Sequence, residues 1–425
     1  MLQPPPPPRR TLRNWQEALQ LVRQNSTSLR TSAARVFQAE ARARQALSLA
    51  LPQLVGTANL THQILKGETE DRTVAGVTIQ GGDVIPDPAT TWNAGLGLRV
   101  PVFAPQAWYD HGTAKREIQL AKLDTKELER QALGAVANAI VSVVTAERLS
   151  EVSRVSLQSS LSTVDLTKRR AALGASSQLD VLRVEQEVQL ARAQLVAADE
   201  SVMRAREALG LALGSSDNFG VPPDIKLDQL ASDAKTSCRR DSNITNRPDL
   251  RASQYNIELA ERRKKGVDWS FWPTVDAVSN LTYWSNDEAT PNGNHLTWSI
   301  GGVLNWELYD GGLRYGQRQV NEADVRIARE GYTEAKRQAE IEVEQTTRGI
   351  VVSEQNLAVS ARGREIAAET ARLAKVAYLN GSGTAFDLVD TARRLREAEL
   401  DLAIKEFEVM RARIAALLAL ASCNV

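Results

Sequence analysis

Gly174-Ala-Ser-Ser-Gln-Leu-Asp180-Val181-Leu182 returns as Gly381-Ser-Gly-Thr-Ala-Phe-Asp387-Leu388-Val389, at an offset of 207 residues. Each copy is a glycine break leading into a helix start. The duplication extends outward from it. Trp92-x-x-Gly95-x-x-Leu98 lies over Trp298-x-x-Gly301-x-x-Leu304 at an offset of 206, and Leu29-Arg30 through Pro52 lies over Leu250-Arg251 through Pro273 at 221. The jump between these offsets falls among turn-rich segments, where insertions are tolerated. A repeat of this length is a duplicated structural unit. It predicts a first repeat over 12–214 and a second over 247–425. Between them 215–246, with Pro222-Pro223 and no sustained period, reads as a linker. The Pro-rich start, 1–11, is expected to be disordered.

Bulk composition narrows the chemistry. The 425 residues carry 52 Lys plus Arg against 52 Asp plus Glu, so the net charge is zero and no nucleic-acid partner is expected. Three His and two Cys leave little material for a metal site, a cofactor or a nucleophile, and no Ser/His/Asp or Cys/His spacing appears. An enzyme is not expected. Cys238 and Cys423 are either one disulfide in an oxidising compartment or two free thiols, and the sequence leaves both open. No uninterrupted apolar run reaches 18 residues, which predicts no membrane-spanning helix.

Proline marks the helices by its absence. None occurs from Arg9 to Leu51, from Gln106 to Val221, or from Asn292 to Val425. Proline inside a helix costs ~3 kcal/mol, so these gaps read as long helices. One is expected from an Asn14 cap, with Glu17 in its first turn, to about Leu51. Very long helices are expected over about 107–173 and 313–379, each ~100 Å at 1.5 Å per residue. Each meets its glycine break and returns as a shorter helix. Val181, Val188, Leu195, Val202 and Leu209 repeat every seven residues, as do Leu388, Leu395, Leu402 and Val409. That pattern predicts paired antiparallel coiled coils.

After each Leu-Pro or Trp-Pro the period falls to two. Leu54, Gly56, Ala58 and Leu60 alternate with Thr57, Asn59 and Thr61, while Trp92, Ala94, Leu96 and Leu98 alternate with Asn93 and Arg99. Val275, Ala277, Leu281 and Tyr283 alternate with Asp276, Asn280 and Thr282, and Trp298, Ile300, Leu304 and Trp306 alternate with Ser299 and Asn305. These predict two amphipathic hairpins, 54–103 and 274–309, with strands near the ~9–11 residues that a tilted membrane strand needs. Trp92, Tyr283, Trp298 and Trp306 fall where membrane-interface aromatics sit. Four strands cannot close a membrane barrel, and open edges are forbidden in lipid. Three copies would pool twelve.

The doubled order of helix, hairpin, very long helix, glycine break and returning helix resembles the TolC family of outer-membrane efflux channels. So do Arg247-Pro-Asp-Leu250 and Tyr378-x-x-Gly381-Ser-x-Thr384-x-x-Asp387-Leu-x-Asp390. The resemblance implies a mainly α chain with a membrane β-barrel portion. Three copies would share a 12-strand barrel in the outer membrane and an α-barrel across the periplasm. The protein would be the passive exit duct of a tripartite efflux or type I secretion system. Its partners would be its own copies, a periplasmic adaptor and an inner-membrane pump of the RND, ABC or MFS type. The Pro-rich start has no apolar core, so an export signal is expected upstream of this numbering.

The same resemblance places a periplasmic gate at Tyr378, Asp387 and Asp390, near 378–390, with adaptor contacts at Gly174, Asp180, Gly381 and Thr384. In a trimer Asp387 and Asp390, three apart on one helix face, would make two rings of three carboxylates whose repulsion raises their pKa. Thr384-x-x-Asp387 and Ser177-x-x-Asp180 also fit capping boxes, a role compatible with the first. The family type carries a basic residue just before the Thr of the second tip, where this chain has Gly383. Arg169 and Arg170 are the candidates to replace that lock. The rival reading is a soluble coiled-coil scaffold, which accounts for the heptads but not for the repeated period-two strands.

Overall fold

The computed structural model describes residues 3–62, 64, 72–79, 90–222, 238–240, 243–285, 294–419 and 421–423. In chain order the elements begin β1 (Arg10–Thr11), α1 (Trp15–Asn25), α2 (Thr27–Ser48), β2 (Gln53–His62), β3 (Arg72–Val74), β4 (Val77–Ile79) and β5 (Thr90–Phe103). The long helix α3 (Pro105–Ala172) and its return α4 (Gln178–Ala212) complete the first half. After β6 (Phe219–Gly220) and β7 (Cys238–Arg240) come α5 (Pro248–Trp269), β8 (Thr274–Trp284), β9 (Leu296–Asn305), α6 (Leu313–Leu379), α7 (Ala385–Ala419) and β10 (Ala421–Cys423). They form two compact units. One holds Met1–Arg35, Ala121–Gln254 and Glu330–Val425, and the other Val36–Leu120 and Tyr255–Arg329.

The second unit carries a four-stranded antiparallel sheet, ordered β2-β5-β8-β9, in which β5 pairs β8 and so joins the two repeats. Register sorts the residues by face. Gly56, Leu96, Leu281 and Trp298 lie in one row across all four strands. Leu54, Leu96, Leu98, Trp298, Ile300 and Leu304 are exposed, an apolar face that no described residue covers. On the polar face the Asn59 side chain donates to Asn93 at 3.0 Å. Arg99 pairs with the buried Asp276 at 2.5 Å. The aromatics gather at the ends: Trp92 lies 5.3 Å from Tyr283, and the Trp306 indole N–H reaches the carbonyl of Phe271 at 3.2 Å. Trp306 lies just past the end of β9.

In the first unit the core gathers Leu12, Trp15, Val22, Leu133, Val136, Ile140, Val141, Leu209, Phe407 and Ile414, all buried. The same residues bear on one expectation. By length and mean hydropathy a stretch of α3 is apolar enough to cross a membrane, although no unbroken apolar run is present. Several of the apolar residues of α3, Leu133, Val136, Ile140 and Val143 among them, are buried in this core. Farther along, Leu157 of α3 packs on Val188, Ala191 and Leu195 of α4 as an antiparallel pair. The seven-residue seam of α4 is buried at Val181, Val188, Leu195, Val202 and Leu209. In α7 the seam residues Leu388 and Val409 are buried, together with Arg396, Ala403, Phe407, Met410 and Ile414, while Leu395 and Leu402 are only half-buried. Between them Arg396 pairs with Glu187 of α4, both buried.

Two local readings need revision. The helix expected from Asn14 to Leu51 is two helices broken at Ser26, although the Asn14 cap on Glu17 forms at 2.8 Å. The break sits where Gly214 presses on Asn25. A Cβ on Gly214 would lie 2.7 Å from the Asn25 backbone, and its φ of +78° suits glycine. The Pro-rich start is not disordered from Pro6 on. Arg206 donates to the Pro6 carbonyl at 2.8 Å, and β1 pairs in parallel with β6. Proline offers no N–H, so an extended tract needs few partners to be held. Linker residues 223–237, 241 and 242 lie outside the described residues.

Candidate functional site at the helical tips

Both glycine breaks are tight C-terminal turns leading into capped helices. At the first, Gly174 has φ +76°, and the Ala175 N–H returns to the Arg170 carbonyl at 2.8 Å. Ser177 and Asp180 then form a reciprocal capping box at the start of α4. Hydrogen bonds from Ser177, side chain and backbone, hold the Asp180 carboxyl below the usual range. At the second, Gly381 has φ +78°, and the N–H groups of Ser382 and Gly383 both return to the Ala377 carbonyl at 3.0 Å. The Thr384 hydroxyl accepts from the Asp387 N–H at 3.1 Å, while Asp387 accepts from the Thr384 hydroxyl at 2.6 Å. The capping role proposed for both Asp residues is therefore filled.

The two tips are tied by a pair of residues. Tyr378, at the end of α6, is 3% exposed and packs with Ala385, Leu388 and Leu166. Its hydroxyl lies 3.3 Å from that of Ser176 and 3.4 Å from that of Thr167. The Arg170 guanidinium sits 4.5 Å above the Tyr378 ring and donates to the Tyr378 carbonyl at 2.5 Å and the Leu379 carbonyl at 3.3 Å. One cation thus caps the negative end of α6 and stacks on its last aromatic. Arg169 instead pairs with Asp165 on its own helix, with both side chains exposed.

Gly383 has a steric reason to be glycine. A Cβ there would stand 2.9 Å from the Tyr378 nitrogen and 3.1 Å from the Ala377 carbonyl carbon. Both are backbone atoms with no freedom to move aside. A basic side chain at this position is incompatible with the turn as folded.

Asp390 is not a bare carboxylate. Arg393 donates to it at 2.9 Å and Arg394 at 2.8 Å. These hydrogen bonds, that of Arg393 foremost, hold it below the ordinary range. Within one chain this is the reverse of the rise expected from a carboxylate ring. Asp387 is exposed, and Leu173, Leu179, Leu182 and Phe386 present apolar side chains on the tips. Sequence reasoning overlooked Arg393, Arg394, Thr167 and Ser176. The repeat held a signal for the tie: Arg170 stands where the second repeat has Ala377, and Tyr378 where the first has Ala171.

Residues 18–215 and 241–421 match the family described as Outer membrane efflux protein. The chain belongs to this family. As a member it is an outer membrane efflux protein and not an enzyme. Its relatives include Nodulation protein T of Rhizobium leguminosarum bv. trifolii, 25% identical over 69% of this chain and 65% of that one. The chain thus spans a little under two thirds of that relative. Outer membrane efflux protein BepC of Brucella suis is 22% identical over 93% of this chain and 84% of its own. Solved structures share the fold. The outer membrane protein VceC of Vibrio cholerae superposes with a TM-score of 0.76 at 18% identity, covering 95% of each chain. The CmeC outer membrane channel of Campylobacter jejuni gives 0.79 at 14%, covering 95% of this chain and 85% of that one.

Proposed function

We propose that three copies of this chain form a passive exit duct from periplasm to exterior, gated at the helical tips. The observation that carries this reading is the four-stranded sheet of β2, β5, β8 and β9. One side of β2 and one side of β9 have no strand partner among the described residues, and the apolar face between them is exposed. In lipid every backbone donor and acceptor needs a partner, so β9 of one copy pairs with β2 of the next. Three copies give twelve strands and leave room for a lumen, where eight would be filled by their own side chains.

The Arg170 clamp on Tyr378 holds the two tips of one chain together, in place of a basic residue at position 383. Asp387, exposed beside the clamp, contributes a carboxylate ring in the assembled tube. Asp390 with Arg393 and Arg394 contributes a ring of mixed sign, which weakens its preference for cations. Gly174, Asp180, Gly381 and Thr384, with the exposed Leu179 and Phe386, form the docking edge for a periplasmic adaptor. An inner-membrane RND, ABC or MFS pump supplies the cargo. The duct takes no cofactor.

Extraction in detergent followed by sizing and planar-bilayer recording tests the proposal. The expected result is a particle of three times 46.6 kDa of protein that conducts ions. A detergent-independent monomer, or a scaffold that never alters bilayer conductance, would overturn it.

A further inference from the structure

The short strands β7 and β10 pair antiparallel, with Cys238 opposite Cys423, Arg239 opposite Ser422 and Arg240 opposite Ala421. These are the only two cysteines of the chain, and the whole second repeat separates them. Directly opposed residues of an antiparallel pair share one face, with Cα atoms ~4.5–5.5 Å apart. A disulfide requires Cα atoms ~4.4–6.8 Å apart. An outer-membrane protein passes through an oxidising compartment, where such a pair oxidises and stays oxidised.

We infer that Cys238 and Cys423 form an intrachain disulfide that staples the last strand to the segment between the repeats. In the first step one cysteine thiolate attacks the disulfide of a periplasmic dithiol–disulfide oxidant and forms a mixed disulfide. The second cysteine, as thiolate, attacks the sulfur of the first and displaces the oxidant's thiolate. The two thiols lose two protons and two electrons, and the oxidant leaves as a dithiol. The staple sits just beyond the end of α7, where Arg130 already holds the Leu418 carbonyl at 3.1 Å and Arg247 the Ala419 carbonyl at 2.9 Å. The covalent tie closes the second repeat into a loop and keeps its end from peeling away. This inference rests on outer-membrane location alone and is independent of the trimer and gate readings.

The test begins with free thiols blocked by a permeant alkylating reagent in intact cells. The protein is then purified and digested with trypsin without reductant. Cleavage after Lys235, Arg239 and Arg413 releases Thr236–Arg239 and Ile414–Val425. The expected product is these two peptides joined, two hydrogens lighter than their sum and separated by reductant. A reductant should also lower the melting temperature of the wild type but not that of the Cys238→Ser, Cys423→Ser double variant. Both cysteines recovered alkylated, a cross-link between chains on a non-reducing gel, or a joined peptide with a melting temperature indifferent to reductant would overturn the inference.

Discussion

Replacing Arg170 with alanine should loosen the tips without unfolding the chain. The guanidinium makes one short and one long bond to the terminal carbonyls of α6, at 2.5 and 3.3 Å, and stacks 4.5 Å over Tyr378. A hydrogen bond from a charged donor contributes ~1.5–3 kcal/mol, and a half-exposed cation–π contact ~0.5–1. Against these stands the buried Arg170 Nε, which has no partner and whose desolvation cost of ~1–3 kcal/mol disappears with the side chain. The net loss is ~1–2 kcal/mol per chain, which shifts the balance of closed and open tips ~5–30-fold. Planar-bilayer recordings should show a higher resting conductance for Arg170→Ala. Arg170→Lys should be intermediate, because the ammonium keeps the charge but loses the flat stacking surface. The first-unit core does not include Arg170, so the melting temperature should hardly change. Wild-type conductance for Arg170→Ala alongside a raised conductance for Tyr378→Ala would refute the clamp. A large fall in melting temperature would refute the separation of gate from fold.

The combined substitution of Asp387→Ala and Asp390→Ala should lower cation selectivity and raise conductance in the same recordings; unchanged values would remove both residues from the gate. Leu209→Ala deletes a fully buried side chain from the first-unit core and should cost ~2–5 kcal/mol, read as a lowered denaturation midpoint of the detergent-solubilised protein. Burial pushes the Asp249 carboxyl up, but bonds from Arg247 and the Leu250 N–H outweigh it and leave the group below its usual value. Its contribution to stability is therefore complete above ~4, the unfolded value, and is lost as pH falls through the lower folded one. Asp249→Asn should accordingly flatten the decline in stability below that pH, and a decline as steep as the wild type would contradict this account. Gly383→Ala should disrupt the second tip, because the new methyl group meets backbone 2.9 Å away, and should speed proteolysis there.

The architecture was legible wherever a local period carried it. Proline-free stretches with helix-forming composition gave α3 and α6, and alternation of apolar with polar residues gave the four strands of the sheet. The duplication supplied what single elements could not, since weak strand signals gained weight by occurring twice. Features that depend on a partner some 200 positions away left no period to read. The break at Ser26 lies where Gly214 comes close to Asn25, and Arg206 anchors the proline tract. At the tips, the capping roles of Asp180 and Asp387 were visible from spacing alone. The burial of Tyr378 was not, because it depends on Thr167, Ser176 and Arg170 from the other repeat. The partners of Asp390 went unread for a different reason. Its arginines stand three and four positions along its own helix, an ordinary surface spacing that carries no repeat signal, since the first half has Arg183 at the matching position.

The two ladder margins, ten residues each on β2 and β9, have a consequence for the life of the newly exported chain. A solitary copy presents unpaired backbone donors and acceptors along both flanks, a template for whatever strand it meets first. On the proposed threefold reading, assembly is the concentration-dependent event. Scarce copies would linger as adhesive intermediates, so abundance and escort, more than intrinsic stability, would govern how many finished ducts a cell obtains.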